Sequence, residues 1–435
     1  MRPGLGKSSA VLAAFKLLQK AKGARKALIF APLRVCYHVW SHIGELGKWS
    51  DFSDLRVSLL HGKDKEKAID ADADLYVINY EGLPWLLPRV ERLFKHGVDL
   101  LVIDELSKCK RHNTQRFKMF KSILGRFKRR WGLTGSPASN GLLDLWGEAY
   151  MLDLGKSLGR FITHFRCQYF YPSGYQGYEW LPQPDAEERI YKALKPLMLT
   201  MNDVDYLDLP DLVECNVWVD LPDAVRPKYD ELEAEFITDL ENGVVVASSA
   251  AVACGKLRQM ASGGIYLHGE EKRVTHHLHD AKTEALQEIV EELQGQPVFI
   301  AFEFHHDLER MRRAFPNLPA IHGGTPEKEC ARLIAAWNAG ELPMLAAHPA
   351  AVGHGLNLQG GSCANIVWYT PTFHFENYEQ FNRRVYRQGN KAERVIVHRI
   401  LARKTVDEAV ARSIHSKDKT QRALFDALKE YARCK

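Results

Sequence analysis

The sequence predicts an α/β protein built as two lobes, and three observations carry that reading. Short continuous apolar runs recur, helical patterns lie between them, and this alternation occurs twice, separated by a stretch of different character. The first set of runs is Ala27–Ala31, closed by Pro32, then Leu75–Ile78, ending at Asn79, and Leu100–Ile103, ending at Asp104. The second set is Val298–Ala301, Met344–Ala347, Ile366–Trp368 and Val395–Val397. Runs that stay apolar, rather than alternating with polar residues, fit strands covered on both faces, as in a parallel sheet flanked by helices. Ser9–Lys20, Ala281–Leu293 and Lys328–Asn338 supply the helical spacing between them. Strand and helix in alternation define the α/β class. The stretch from about Gly141 to Gly264 reads as helical insertions without clear strands: Ala224–Leu240 and Ala250–Met260 are helical, and Tyr171–Pro184 is irregular. The lobe junction is placed near Leu209–Leu212, and no low-complexity run or short repeat is present.

Composition narrows the class further. The 435 residues are 46% hydrophobic and 26% charged, with 31 Gly and 19 Pro, close to a globular average and unlike a disordered or fibrous chain. At roughly 100–200 residues per domain the length allows two to four domains. No apolar stretch reaches the ~18–20 residues of a membrane span. The N-terminal apolar patch, Ala10–Phe15, is too short for a secretory signal. None of the 8 cysteines forms a C-x-x-C pair and none has zinc-site spacing, so they read as reduced, mostly buried thiols of a cytoplasmic protein. The net charge is only +5. Its distribution matters more: Leu106–Arg130 holds ten Lys/Arg and no Asp/Glu, a patch suited to a polyanion.

Four motifs carry chemistry. Gly4-Leu5-Gly6-Lys7-Ser8 opens a helical pattern. A Gly-rich turn at a helix N-terminus presents backbone N–H groups to phosphate; Lys7 would reach the β/γ-phosphates and the Ser8 hydroxyl would bind Mg²⁺. The strict G-x-x-x-x-G-K-[ST] pattern fails because its first position is Met1, and a Gly-Lys turn starting an ordinary helix is the other reading. Leu101-Val102-Ile103-Asp104-Glu105 is a strand ending in adjacent carboxylates, as in a Walker B site: Asp104 would hold Mg²⁺ and Glu105 would polarise the attacking water. An Asp capping the next helix is the plainer alternative. Leu133-Thr134-Gly135-Ser136-Pro137 reads on physical grounds as a turn. In the second half, the Gly-rich turn Gly353–Leu358 precedes Gln380, Arg383, Arg384 and Arg387. Arg384 and Arg387, spaced i, i+3, would share one helix face, either gripping a triphosphate or forming a solvated basic surface. In the basic patch, Lys108, Lys110 and Arg111 are the DNA-contact candidates, with a solvated surface helix as the alternative.

Taken in order, these motifs resemble helicase superfamily two, and more narrowly its Swi/Snf-like branch of ATP-dependent DNA translocases, in the compact form carried by phages and bacteria. Further matches are Ala31-Pro32-Leu33, Asn79-Tyr80-Glu81, Asn140 after the Leu-Thr-Gly-Ser-Pro motif, and Lys404-Thr405-Val406-Asp407-Glu408. The resemblance implies two RecA-like P-loop NTPase lobes with parallel sheets and helical insertions between them, and ATP with Mg²⁺ bound where they meet. It implies catalytic roles for Lys7, Asp104, Glu105, Arg384 and Arg387. It implies cofactor contacts from Gly4, Leu5, Gly6, Lys7, Ser8, Gly355 and Gln380, with Ser8 and Asp104 on the metal. DNA would be held mainly through its phosphates, with little sequence specificity, and Asn79, Ser136 and Asn140 join the basic candidates there. The expected organisation is a first lobe over 1–140, its protrusion over 141–212, an insertion opening the second lobe over 213–280, and the second lobe over 281–435.

The sequence also departs from the family pattern. The strand before the phosphate loop and the upstream glutamine segment that recognises adenine have no counterpart in it, so the first lobe is expected to lack its first strand. This leaves a second reading beside the translocase: a DNA- or partner-binding module deficient in nucleotide binding. The acidic motif reads Asp-Glu-Leu-Ser, and Tyr386 and Asn390 stand where His and Gln are usual. No nuclease carboxylate/Lys set or methyltransferase cofactor motif is found.

Overall fold

The computed structural model describes residues 6–42, 44–135, 141–173, 179–199, 209, 211–241, 252, 254–268, 273–352, 356, 358–361, 363–415 and 421–433. The chain divides into two units, Met1–Leu207 and Asp208–Lys435.

The first unit is built on five strands: β1 (Lys26–Ala31), β2 (Val57–Leu59), β3 (Leu75–Asn79), β4 (Val98–Asp104) and β5 (Arg129–Leu133). They form one parallel sheet in the order β2-β3-β1-β4-β5. Successive side chains of a strand point to opposite faces, and both faces here are apolar. Leu28, Phe30, Tyr76, Ile78, Leu101 and Ile103 face one core with Phe117 and Phe120. Ala27, Ile29, Val77, Leu100 and Val102 face the other with Leu12, Phe15 and Trp40. This two-sided burial is why β1, β3 and β4 read as unbroken apolar runs. The helix Lys7–Lys20 covers one face with Val11, Leu12 and Phe15. The helix Asp144–Asp153 packs on the other through Leu145, Trp146 and Ala149.

The middle stretch, expected to lack clear strands, contains several. β6 (Phe170–Ser173) and β7 (Glu179–Pro182) pair as an antiparallel ribbon. β8 (Asp211–Val219) is the edge strand of the second unit's sheet, and β9 (Gly264–His268) pairs antiparallel with β10 (Arg273–His277). β8 escapes a search for apolar runs because it is an edge strand. Asp211 through Asn216 are all exposed, and Glu214 and Asn216 interrupt the apolar residues. Its polar side chains are nonetheless used: Glu214 accepts a hydrogen bond from the Tyr378 hydroxyl at 2.7 Å, and Asn216 one from Arg399 at 2.9 Å.

The second unit completes its sheet with β11 (Val298–Ala301), β12 (Ala320–Ile321), β13 (Met344–Ala347), β14 (Asn365–Trp368) and β15 (Arg394–Ala402). The order is β12-β13-β11-β14-β15-β8, all parallel. Val298, Ile300, Val367 and Ile400 face one core, backed by the helices Arg226–Glu241, Ala281–Glu292, Val406–His415 and Gln421–Arg433. Phe299, Leu345, Ile366 and Val397 face the other with Trp337 and Phe381, and the Phe299 and Phe381 rings stack with centroids 4.2 Å apart. Among the described residues no helix is long and apolar enough to cross a membrane.

Candidate functional site

In a parallel sheet every strand ends on the same side, so residues just past the carboxyl ends of neighbouring strands share one rim. In the first unit that rim carries the motifs. Ala31 pairs with Asn79 at the ends of β1 and β3, and Asp104 pairs with Leu133 at the ends of β4 and β5, just before Thr134 and Gly135. The helix Lys7–Lys20 starts from Gly6, which adopts the left-handed conformation (φ 68°), a turn glycine makes without strain. The Ala10 N–H and the Ser9 hydroxyl both donate to the Gly6 carbonyl at 2.9 Å. Lys7 is half-buried. It lines a cavity of about 610 Å³ with Leu106, Thr134 and Gly135, walled by Val11 and Leu145 of the two flanking helices. The structure thus brings the lysine, the residue two past Asp104 and the Thr134–Gly135 turn around one space. Thr134 Oγ1 is shut from solvent there and makes no hydrogen bond among the described residues.

Asp104 is 9% exposed and held at two points. Its Oδ2 accepts the indole N–H of Trp40 at 2.8 Å, and its carbonyl accepts the Tyr80 hydroxyl at 2.6 Å. Glu105 follows at φ 65°, ψ 61°, a left-handed backbone that costs a side-chain-bearing residue about 1–2 kcal/mol. The Lys108 N–H donates to its carbonyl at 2.9 Å, Tyr80 also reaches that carbonyl at 3.3 Å, and the Ser107 hydroxyl donates to Oε1 at 3.3 Å. Strained residues of this kind persist where the surroundings over-determine them, and they cluster at functional sites. Burial, followed by the Cys109, Asp104 and Glu105 charges, holds the Tyr80 hydroxyl well above its ordinary pKa, so it stays a donor. Burial and then the Asp104 charge likewise push the Cys36 thiol up.

The DNA candidates of this unit divide. Lys108 and Arg111 are exposed. Lys110 is half-buried and pairs with Asp144 at 3.3 Å. Asn79 is buried and donates to Glu81 at 3.0 Å, so its side chain closes the end of β3. Ser136 and Asn140 lie outside the described residues, as do Gly4 and Leu5. Much of the basic patch is structural. Arg126 pairs with Glu91, Arg116 pairs with Glu81 at 3.6 Å, and Arg129 and Arg130 donate to backbone carbonyls.

In the second unit Gly355 lies outside the described residues. Gln380 is buried and donates to Glu376 one turn earlier at 3.2 Å. Arg384 and Arg387 do not share a helix face: the helix ends at Asn382, and tighter turns follow. The Arg384 N–H bonds back to Phe381 and the Val385 N–H to Asn382, and Asn390 pins the segment by donating to the Cys363 and Val385 carbonyls. Arg384 is buried and donates to the Leu356 carbonyl at 2.9 Å, tying the arginine turn to Leu356. Arg387 is half-buried.

Sequence reasoning missed Trp40, which lies 64 residues from its carboxylate partner. A tryptophan shortly after the Ala31-Pro32-Leu33 match was the only available signal. Among the described residues no group of three or more His, Cys, Asp or Glu could hold a metal ion. The Ser8 hydroxyl and Asp104 carboxylate are hard oxygen donors, a set that suits Mg²⁺ arriving with phosphate rather than a metal held in a protein cage.

Two parallel-sheet units, with a helix-opening lysine and adjacent carboxylates in one and a buried arginine turn in the other, define a two-lobed RecA-like protein of the helicase class. Residues 2–264 match the SNF2-related domain and residues 281–389 the helicase conserved C-terminal domain. The chain belongs to the SNF2-related family. It is 33% identical over 442 residues to protein p41 of Acyrthosiphon pisum secondary endosymbiont phage 1, spanning 98% of this chain and 93% of that protein. It is 23% identical over 418 residues to the uncharacterized ATP-dependent helicase MG018 of Mycoplasma genitalium, spanning 94% of this chain and 38% of that one. Among solved structures it is similar to the Sulfolobus solfataricus SWI2/SNF2 ATPase core in complex with dsDNA, at 22% identity and a TM-score of 0.42, covering 100% of this chain and 89% of that one.

Proposed function

We propose that the chain is a DNA-dependent ATPase that hydrolyses ATP with Mg²⁺ to drive movement on duplex DNA. The observation that carries this reading is the pair Asp104–Glu105 at the carboxyl end of the interior strand β4, one carboxylate fixed by Trp40 and the other on a strained backbone. Lys7 and Ser8, with Gly4, Leu5 and Gly6, would bind the phosphates, and Asp104 and Ser8 would hold the cation. Glu105 accepts the proton of the attacking water. Mg²⁺ supplies charge neutralisation on the phosphates when bound. Arg384 and Arg387 stabilise the charge that develops on the leaving phosphates, and Gly355 and Gln380 contact the nucleotide. Lys108 and Arg111, both exposed, contact DNA phosphates; Lys110 contributes after yielding its Asp144 partner.

The test is ATP turnover with and without duplex DNA, together with displacement of a triplex-forming strand, in wild type and Lys7→Ala. Turnover should rise with duplex, the third strand should be displaced, and Lys7→Ala should lose both. Hydrolysis indifferent to DNA, with no displacement, would contradict the reading. Salt-dependent DNA binding without nucleotide binding would replace it with the binding-module reading, because phosphate contacts release counterions.

A further inference from the structure

We propose that Trp40 is a positioning residue for Asp104: its indole N–H sets the orientation in which the carboxylate meets the cation. This rests on the reading of Asp104 as the cation-holding carboxylate.

Three observations carry the inference. The first is the contact itself: Trp40 Nε1 donates to Asp104 Oδ2 at 2.8 Å, and the bond is buried. A carboxylate in water turns freely about its Cβ–Cγ bond, whereas one oxygen pinned by a rigid donor leaves the other facing a fixed direction. The second is the rigidity of the donor. Trp40 is fully buried in the core beside Leu12, Phe15 and Val102, and its backbone N–H donates to the Val35 carbonyl at 3.1 Å. The ring is therefore ordered by packing before any ligand arrives, and little further entropy is lost in holding the carboxylate. The third is the division of labour at this residue. Tyr80 fixes the Asp104 backbone carbonyl at 2.6 Å, while Trp40 fixes the side chain, so main chain and carboxylate are each anchored by a separate aromatic donor.

The chemistry of the donor is also specific. Indole N–H donates only and carries no charge. A lysine or arginine in its place would pair with Asp104 and compete with a divalent cation for the same negative charge. An uncharged donor orients the carboxylate and leaves its charge intact. A hydrogen bond to a charged group is stronger than one between neutral groups, so its removal is large enough to read as a shift in cation affinity.

The test separates shape from donor. Trp40→Phe keeps an aromatic ring, and replacing Trp40 with 3-benzothienylalanine keeps the full bicyclic shape but removes the N–H. Each is compared with wild type and Asp104→Asn in a Mg²⁺ titration of fluorescent ATP-analogue binding, which needs no turnover. The indole ¹⁵N–¹H resonance of Trp40 is followed in parallel. The expected results are a roughly tenfold rise in half-saturating Mg²⁺ for both Trp40 replacements, no further rise when either is combined with Asp104→Asn, and an upfield move of the Trp40 indole proton in Asp104→Asn. A benzothienyl protein with an unchanged Mg²⁺ midpoint would overturn the proposal, as would an equal penalty in the Asp104→Asn background, which marks a purely structural role. If Asp104→Asn alone leaves the midpoint unmoved while the indole proton still shifts, the reading of Asp104 fails rather than the contact, and the proposal falls with it. If the wild-type indole proton does not respond to Asp104→Asn, the contact itself is refuted whatever the chain binds.

Discussion

The two units put their buried charges to different use. In the second, charged groups lie deep in the core and join elements together. Lys282 and Asp407 are fully buried and bonded at 2.6 Å, which ties the start of the helix Ala281–Glu292 to the start of the helix Val406–His415. Asp307 accepts from Ser262 at 2.6 Å, from Arg310 at 2.9 Å and from Thr370 at 2.9 Å, which links three separate segments. In the first unit, buried Asp99 and Asp153 accept backbone N–H groups at turns, while Asp104 and Asn79 stand at the strand ends beside the motifs. Similar chemistry therefore holds the second unit together and equips the rim of the first. Burial of a charged side chain thus does not by itself mark a site.

The largest effect that would break this comparison is at Lys282. Removing one partner of a buried pair leaves the other charge uncompensated, at a cost of about 3–5 kcal/mol. Lys282→Met should lower the stability of the second unit by that order in urea unfolding, and the double change Lys282→Met, Asp407→Leu should recover part of it. A loss below about 1 kcal/mol would show that the pair is not integral to the core.

His279 gives the next effect. Burial first, and then the charges of Arg310 and Lys282, outweigh its Met260 carbonyl partner and bring the imidazole down from 6.5 to about 4. The unfolded chain takes up this proton before the folded one. Stability is therefore complete above about pH 6.5 and falls toward pH 4, by up to about 3 kcal/mol at 1.36 kcal/mol per pKa unit. Urea midpoints measured across that window should slope in wild type and flatten in His279→Gln. Identical slopes would remove His279 from the account.

The smallest effect sharpens the description of the first unit. Glu105 carries a left-handed backbone that glycine adopts without penalty. Glu105→Gly should therefore leave the urea midpoint unchanged or raise stability by up to about 1 kcal/mol, while hydrolysis is lost. A clear destabilisation would mean that the Glu105 side chain serves the fold rather than the chemistry.

What could be read from the sequence follows the physics of each element. β1, β3, β4, β11, β13 and β14 were legible because strands covered on both faces must be apolar at every position. β8 was not, because an exposed edge strand can carry Glu214 and Asn216. The Lys7 helix and the Asp104–Glu105 pair were legible as short motifs. The Arg384–Arg387 spacing suggested a helix face, but the chain leaves the helix at Asn382 and is held in turns by Asn390, a tertiary contact that spacing cannot express. The Trp40–Asp104 bond belongs to the same kind: it joins segments that meet only when β1 and β4 pair.

On the proposed function, the rim of the first unit performs chemistry rather than only holding a nucleotide. The most direct measurement is steady-state ATP hydrolysis with duplex DNA present, set beside equilibrium ATP binding, for wild type and Glu105→Gln. The account predicts that binding persists while turnover falls by about 10²–10⁴-fold, the range supplied by a positioned proton acceptor. Equal turnover in the two proteins would contradict it.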